Sequence, residues 1–276
     1  MTDAYFQTGD GSWFAPTEYA RGPWQVDACH AGPPTALMVG ALEALVPGQR
    51  LTRITVDIMR PIPMSGFRVA GSITKAGRSA SLTEAELGDD DTIYARAHGL
   101  HLRTVDDLDV TTAGVDVPDL SAAIPGPFPI DRNMHDRISF LDSVECRYDP
   151  ASPVAEGGAT TMWMRTTVPL LAGESPSPFQ RICPLADSVN GISYNNPLGK
   201  VRFVNPDLTV SLHRDPIGQW FCAQAVSHWL ASGVGLADAA LFDAEGPVGR
   251  ATQNLLLSPA GDSSSLPQSG GDALRR

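Results

Sequence analysis

The sequence predicts an α+β fold made of two tandem units, each with a long central helix that an antiparallel sheet wraps. Three observations lead to this prediction: an internal repeat at a constant spacing, one apolar helix-like segment in each copy, and a series of strand-like segments that no helix interrupts. Consecutive strands without intervening helices favour an antiparallel sheet, because parallel strands need long crossover connections.

The internal repeat appears when residues 54–102 are written above residues 208–256, a shift of 154 positions (208 − 54 = 154). Identical residues then coincide in the same order and without a gap. The matched pairs include Thr55 with Thr209, Arg60 with Arg214, Phe67 with Phe221, Ala85 with Ala239, and Arg96 with Arg250. A constant shift over this length indicates a duplication. Carried upstream, the same shift matches Pro33 with Asp187.

In the first copy, the segment from Ala31 to Leu45 is apolar on most of its faces, which predicts a buried helix. Pro33 and Pro34 suit its first turn, because proline needs no hydrogen-bond acceptor there. Turn sequences separate the four strand-like segments that follow. These are Leu51–Arg60, Gly66–Ala76, Ser79–Leu87 and Thr92–Thr104.

The second copy begins with two strand-like segments, has its helix at about Pro184–Tyr194, and continues with four more strands. The predicted strands are Ile138–Tyr148, Thr160–Pro169, Asp207–Arg214, Trp220–Leu230, Gly235–Asp243 and Gly249–Ser258. An antiparallel sheet that curls around a buried helix is the hotdog arrangement, so two tandem copies form a double hotdog. We expect the sheets of the two copies to pair edge to edge within the chain.

These elements divide the chain into an N-terminal hotdog unit at residues 1–104, a linker at 105–135, a C-terminal hotdog unit at 136–258 and a tail at 259–276. The linker is rich in Asp, Pro, Ala and Gly and should run over the surface. Small and polar residues dominate the tail, which predicts disorder.

Composition and missing motifs exclude several classes of protein. The formal net charge of −11, with no basic cluster, argues against nucleic acid as a partner. No signal-peptide pattern and no apolar segment near the ~20 residues of a membrane span are found, so we expect a cytoplasmic protein. There is no GxSxG elbow, P-loop, HExxH or Cys/His metal spacing, and we therefore expect neither a serine hydrolase nor a metal or cofactor.

Asp187 stands out as an acid beside the predicted start of a buried helix. Its carboxylate could cap the helix, because Asp oxygens accept hydrogen bonds from the unpaired N–H groups of a first turn. It could instead point into a cleft and activate a water molecule. The repeat favours the second role, since the position matched with Asp187 in the first copy is Pro33.

Six short motifs occur in order within residues 6–257. They are Ala20-Arg-Gly-Pro-Trp24, His30-Ala-Gly-Pro-Pro34, Thr55-Val-Asp-Ile-Met-Arg-Pro61, Leu185-Ala-Asp187, Asn205-Pro-Asp-Leu-Thr209 with Leu212-His-Arg214, and Arg250-Ala-Thr-Gln253. Together they resemble the acyl-CoA thioesterase II family, in the branch of thioesterase-like double-hotdog proteins common in actinobacteria. The resemblance implies hydrolysis of an acyl-CoA to free acid and CoA without a cofactor, and a homodimer or higher homo-oligomer.

The resemblance also implies a catalytic set of Asp, Thr and Gln. The Asp matches Asp187 and the Gln matches Gln253, whereas the Thr position falls on Asn205, which departs from the family. An Asn side chain can still donate to and accept from a water molecule. If the match slips by a few residues, Asp207 and Thr209 are the nearby substitutes.

These residues suggest a mechanism in which Asp187, Gln253 and Asn205 orient a water molecule while amides at the helix start bind the oxyanion. In the first copy the matched positions carry Pro33 and Gly99 in place of Asp187 and Gln253, so we expect one site per chain.

Other residues keep alternative functions open. His30 precedes the first helix and could serve a hotdog dehydratase or hydratase, which uses a His with an acid, or could brace the helix through a backbone carbonyl. Ser188 has no base near it in sequence. One further alternative is a non-catalytic acyl or acyl-CoA binding protein, which Asn205 slightly favours. Another is a structural pseudo-enzyme in which Asp187 is only a helix cap. Three arginines in or beside predicted strands could contact coenzyme phosphates, although such side chains usually face solvent: Arg78, Arg96 and Arg250.

Overall fold

The computed structural model describes residues 3–9, 12–130, 136–152, 158–195 and 200–260. The predicted tail lies, from residue 261 onward, outside the described residues. The chain begins with a small antiparallel sheet of two strands, β1 (Phe6–Thr8) and β2 (Phe14–Pro16). It is a separate sheet, although isolated bridges join Phe14 to Phe67 and Phe6 to Leu171.

The first copy contains one helix and four strands, within a few residues of the predicted limits. They are α1 (Gly32–Glu43), β3 (Arg50–Ile58), β4 (Arg68–Lys75), β5 (Ala80–Gly88) and β6 (Ile93–Leu102). Most residues of α1 are buried, as expected for a helix that is apolar on nearly every face.

The second copy is longer, and the region predicted as a linker adds a short strand to it. Its elements are β7 (Ile124–Gly126), β8 (Val144–Tyr148), β9 (Thr160–Thr166), α2 (Pro178–Asp187), α3 (Val189–Ile192), β10 (Val201–Val204), β11 (Asp207–Leu212), β12 (Phe221–Trp229), β13 (Val234–Asp243) and β14 (Gly246–Pro259). The strand predicted from Ile138 is shorter than expected, because Phe140–Ser143 form a 3₁₀ turn that a Ser139–Asp142 capping box begins.

The predicted start of the second helix was wrong. Helix α2 begins at Pro178 because Ser177 and Gln180 form a capping box, in which Ser177 Oγ accepts from Gln180 N at 3.1 Å and Gln180 Oε1 accepts from Ser177 N at 2.8 Å. Asp187 is therefore the last residue of α2, about 14 Å from its start. It does not cap the N-terminus of that helix.

One large sheet joins the two copies. Its strand order is β4-β5-β6-β3-β11-β14-β13-β12-β9-β8-β7, with β10 added to the end of β14, and every pair is antiparallel. The copies meet where β3 pairs with β11, and Thr55 lies opposite Thr209 with their hydroxyls 3.1 Å apart. The expected edge-to-edge pairing within the chain is confirmed.

Strand registers follow the 154-residue shift, whereas helix positions do not. Ala85 lies opposite Ala97 in the first copy, and Ala239 lies opposite Ala251 in the second. The helices start at residues 32 and 178, which differ by 146 (178 − 32 = 146). The match of Pro33 with Asp187 therefore fails and is no longer an argument against a capping role for Asp187. The argument against that role is instead the position of Asp187 at the end of α2.

Helices α1 and α2 pack directly against each other inside the curved sheet. Glycine permits this approach, because a Cβ on Gly32 would lie 2.8 Å from Pro184 Cα, and a Cβ on Gly40 would lie 2.5 Å from Gln180 Nε2. Gln180 Nε2 also donates to Ala36 O at 2.9 Å across the contact. One hydrophobic core spans both copies, so the loop before α1 is held beside the end of α2.

Candidate active site

A pocket of about 580 Å³ lies at the junction of the two copies. The first copy contributes the loop before α1 and the end of β3, and the second contributes the α2–α3 corner and the β10–β11 turn. Phe128 and Ile130 of the predicted linker also line it. The walls are mainly apolar, with a small polar cluster around Asp187. Such a pocket suits an apolar ligand that reacts at one polar point.

Three side chains surround the carboxylate of Asp187, which is only 5% exposed. Oδ1 accepts hydrogen bonds from Asn205 Nδ2 at 3.1 Å and from Gln253 Nε2 at 3.3 Å. Oδ2 lies 3.0 Å from His30 Nδ1. The structure thus brings together the three residues that the sequence singled out and adds His30, the strongest competing candidate.

The amide hydrogens of both predicted partners are fully used by protein atoms. Gln253 Nε2 donates to Asp187 O at 3.0 Å as well as to Oδ1, and Asn205 Nδ2 donates to Asp207 O at 3.2 Å as well as to Oδ1. Each NH₂ group has only two hydrogens to give. Gln253 is fully buried, whereas Asn205 lines the pocket. Both side chains therefore hold the carboxylate in place.

Asn190 completes this network and was missed from the sequence. Its backbone N–H donates to Gln253 Oε1 at 3.0 Å, and its Nδ2 donates to Asn205 Oδ1 at 3.0 Å. A signal was present, since Asn190 follows Asp187 by three residues, a spacing that brings two side chains to one side of a helical segment. Asn190 also lines the pocket.

The substitutes named for the Thr position do not contact Asp187. The carboxylate of Asp207 accepts from Asn254, through its backbone N–H at 2.6 Å and its Nδ2 at 2.9 Å. The hydroxyl of Thr209 donates to Thr55 at the junction of the two copies. Of the three residues considered for the Thr position, Asn205 is the one whose side chain donates to Asp187.

His30 enters the site from the loop before α1. Its ring stacks on Phe140 with centroids 3.9 Å apart, and Nδ1 accepts from Gly32 N at 3.1 Å, so a backbone N–H braces the ring where we expected a carbonyl. Burial lowers the pKa of His30 below its usual value, although the Asp187 carboxylate opposes this effect. The ring is therefore neutral at neutral pH. Because Nδ1 accepts, the hydrogen-bond pattern assigns the proton to Nε2, which lies 3.5 Å from Ser188 Oγ.

Neither Ser188 nor Cys29 is an activated nucleophile in this pocket. Ser188 Oγ donates its only hydrogen to Pro184 O at 2.7 Å. Burial raises the pKa of Cys29, which lines the pocket, to about 12, so this thiol is protonated at neutral pH. Across the described ranges, no group of three His, Cys, Asp or Glu side chains could hold a metal ion.

The same ranges contain no helix that is long and apolar enough to cross a membrane.

Two of the three arginines considered as coenzyme contacts are paired with acids outside the pocket. Arg96 forms an ion pair with Glu86 at 2.7 Å, and Arg250 pairs with Asp238. Arg78 does not line the pocket either.

Solved structures share this fold at low sequence identity. A hot dog protein of unknown function from Alicyclobacillus acidocaldarius is 16% identical with a TM-score of 0.69, over 91% of this chain and 95% of that one. The tesB protein of Mycobacterium avium subsp. paratuberculosis is 14% identical with a TM-score of 0.64, over 92% and 96%. An acyl-CoA thioesterase II from Mycobacterium marinum is 13% identical with a TM-score of 0.64, over 93% and 96%. The predicted double-hotdog fold is confirmed.

Family models give the decisive match. The model of the acyl-CoA thioesterase C-terminal domain matches residues 117–257, and that of the N-terminal domain matches residues 20–103. No curated protein matches the chain. Because the first of these models alone covers more than half of the 276 residues, the chain belongs to the acyl-CoA thioesterase family and is a thioester hydrolase.

Proposed function

We propose that this thioester hydrolase cleaves a fatty acyl-CoA to free acid and CoA, and that Asp187 activates the attacking water. The observation that supports this proposal most is the contact of Asn205, Gln253 and His30 with one buried carboxylate in an apolar pocket. A buried acid with three polar partners is costly to maintain for packing alone.

Oδ2 of Asp187 is the oxygen that binds the water in this proposal. Oδ1 already accepts from two amides, whereas Oδ2, among the described residues, has His30 Nδ1 as its one polar contact and retains lone-pair capacity for another donor. A water that donates one hydrogen to Oδ2 presents its lone pair to the thioester carbonyl carbon. Asn205 and Gln253 then act by fixing Asp187, which changes the role that the sequence suggested for them.

His30 returns the proton to the leaving group. As the water oxygen bonds to the carbonyl carbon, one proton passes to Asp187 Oδ2 and from there to His30 Nδ1, 3.0 Å away. Nε2 gives its own proton to the sulfur as the C–S bond breaks, so the leaving thiolate departs as a thiol. The second water proton remains on the acid product and is lost to solvent. Proton exchange with solvent then returns His30 from the Nδ1-protonated to the Nε2-protonated tautomer.

In this arrangement the N-terminus of α1 binds the oxyanion that forms when the water attacks. The first turn of α1 includes Pro33 and Pro34, which have no N–H, and Thr35 N is already bonded to Ala31 O. Gly32 N–H, whose acceptor is His30 Nδ1, is the amide at this helix end that faces the site. When Nδ1 takes a proton, this N–H loses its acceptor and is free for the oxyanion.

A panel of short, medium and long acyl-CoAs, assayed by release of free thiol, tests the proposal. Asp187→Asn should lower kcat by about 10²–10⁴-fold and leave the melting temperature near that of the wild type. Asp207→Asn is the matched control, because that carboxylate lies outside the cluster. Unchanged turnover in pure Asp187→Asn protein would rule out the mechanism.

A second candidate is a hydratase or dehydratase, which the contact between His30 and Asp187 favours because that chemistry requires a His and an acid in one pocket. Loss of the enoyl absorbance of a 2-enoyl-CoA without release of thiol would support it. Binding of acyl-CoA with thermal stabilisation but no turnover would instead support the non-catalytic alternative. A cytoplasmic homodimer or higher homo-oligomer stays a prediction, for which light scattering gives the subunit number.

A further inference from the structure

Two arginines one repeat apart have different surroundings. Arg214 follows β11, and its counterpart Arg60 follows β3 (214 − 154 = 60). Arg214 donates to both carboxylate oxygens of Asp243 at 2.6 Å and to the carbonyl oxygens of Gly246 and Pro247 at 2.9 Å. This arginine is fully engaged in holding the β13–β14 turn.

The first copy keeps the same two residue types but not their contact. Asp89 is the counterpart of Asp243 (243 − 154 = 89), and its carboxylate accepts from the Tyr94 hydroxyl and from the backbone N–H groups of Asp91 and Thr92. In the part of the chain that the structure describes, no acid forms an ion pair with Arg60. Arg60 is exposed and lines the pocket that also contains Asp187.

We propose that Arg60 binds an anionic group of the substrate, either a coenzyme phosphate or a carboxylate on the acyl chain. This inference rests on the proposed function and names a binding residue for it. Among the described residues that line the pocket, Arg60 is the one with a permanent positive charge, while Trp24, Ile62, Phe128 and Leu256 are apolar. The pocket therefore fits a ligand with an apolar body and one anionic end.

The charge of the whole protein makes a local cation necessary. A formal net charge of −11 repels phosphates and carboxylates at long range. A guanidinium group compensates at short range, because its planar set of donors matches the oxygens of phosphate or carboxylate. Of the two repeat-related arginines, Arg214 is held by Asp243, whereas Arg60 has no acid partner among the described residues and is available to a ligand.

Arg60→Gln tests the proposal, with Arg96→Gln as the matched control, since Arg96 is paired with Glu86 outside the pocket. One acyl group is supplied as its CoA thioester and as its pantetheine thioester, which has no phosphate. If Arg60 binds a coenzyme phosphate, Arg60→Gln should raise KM about 10- to 100-fold for the CoA ester alone, with kcat nearly unchanged. If it binds an acyl carboxylate, KM should rise for a dicarboxylic acyl group on both carriers.

Calorimetric titration with CoA and with a medium-chain dicarboxylic acid separates failure of this inference from failure of the proposed function. Binding to wild-type protein that Arg60→Gln weakens about 10-fold or more would support the anion site even if no thioester were hydrolysed. Equal KM values and equal binding for the Arg60→Gln and Arg96→Gln proteins on every ligand would overturn it.

Discussion

Replacing His30 with Gln should slow hydrolysis most for thioesters whose thiol is a poor leaving group. In the proposed mechanism His30 takes a proton from Asp187 Oδ2 over 3.0 Å and delivers another to the sulfur. A Gln amide could still donate a hydrogen bond to Oδ2, but it cannot accept a proton on one atom and release one from another. The substitution therefore removes the proton path while it can keep the carboxylate in place.

The size of the effect follows from the two roles of the ring. Loss of a general acid costs about 10²–10⁴-fold in rate when the leaving group needs a proton. Any displacement of the Asp187 carboxylate that the substitution causes slows both kinds of substrate equally, so it does not change the ratio of their losses in kcat. The kcat for an alkyl thioester should thus fall at least about 10²-fold more than the kcat for an aryl thioester, because an aryl thiolate leaves without protonation.

The assay compares kcat of wild type and His30→Gln on one acyl group carried by CoA and by an activated aryl thiol. His101→Gln is the control for replacing a buried histidine, because His101 bonds to Thr83 at 2.9 Å in the first copy and does not line the pocket. Equal losses on the two substrates would refute the proton path and leave His30 as a residue that only positions Asp187.

Two further predictions concern stability. Asp243→Asn should lower the free energy of unfolding by about 3 kcal/mol, because it breaks an ion pair whose acid is fully buried and whose Arg214 is 30% exposed. Glu145→Gln breaks an exposed ion pair and should lower it by under about 1 kcal/mol. Urea unfolding of the two proteins compares these losses. Burial lowers the pKa of His30, so below about pH 6.5 the unfolded chain binds more protons than the folded protein. The free energy of unfolding should therefore decrease as the pH is lowered through this range, by at most about 1.4 kcal/mol per pH unit. A His30→Gln protein with the same pH dependence as wild type would contradict this.

The sequence predicted the strands and the partners of Asp187 better than the helices. Strand registers follow from alternation and from the repeat, and both survive in β6 and β14, so the match of Gly99 with Gln253 holds. The start of α2 depends on a local capping box at Ser177, whereas the sequence placed the helix from about Pro184, which lies inside α2. Apolar periodicity does not show where such a cap begins a helix.

The contact between His30 and Asp187 was beyond sequence analysis for a different reason. The two residues lie in different copies, and their meeting depends on how closely α1 approaches α2. That distance is set by Gly32 against Pro184, a packing detail that no motif encodes. His30 could be named as a candidate from its position before a helix, but its partner could not.

Packing also explains why the first copy lacks a second amide at the position of Gln253. The counterpart is Gly99, where an added Cβ would lie 2.4 Å from Thr83 Oγ1, a group already bonded to the buried His101. Gly99→Ala should therefore cost about 1–3 kcal/mol of unfolding free energy by overpacking, and more if the buried bond from Thr83 breaks. Gly114→Ala, which meets no atom within 4 Å, should change stability by less than about 0.5 kcal/mol in the same urea titration. A Gly99→Ala protein as stable as Gly114→Ala would show that space is not what keeps the duplicated position free of a side chain.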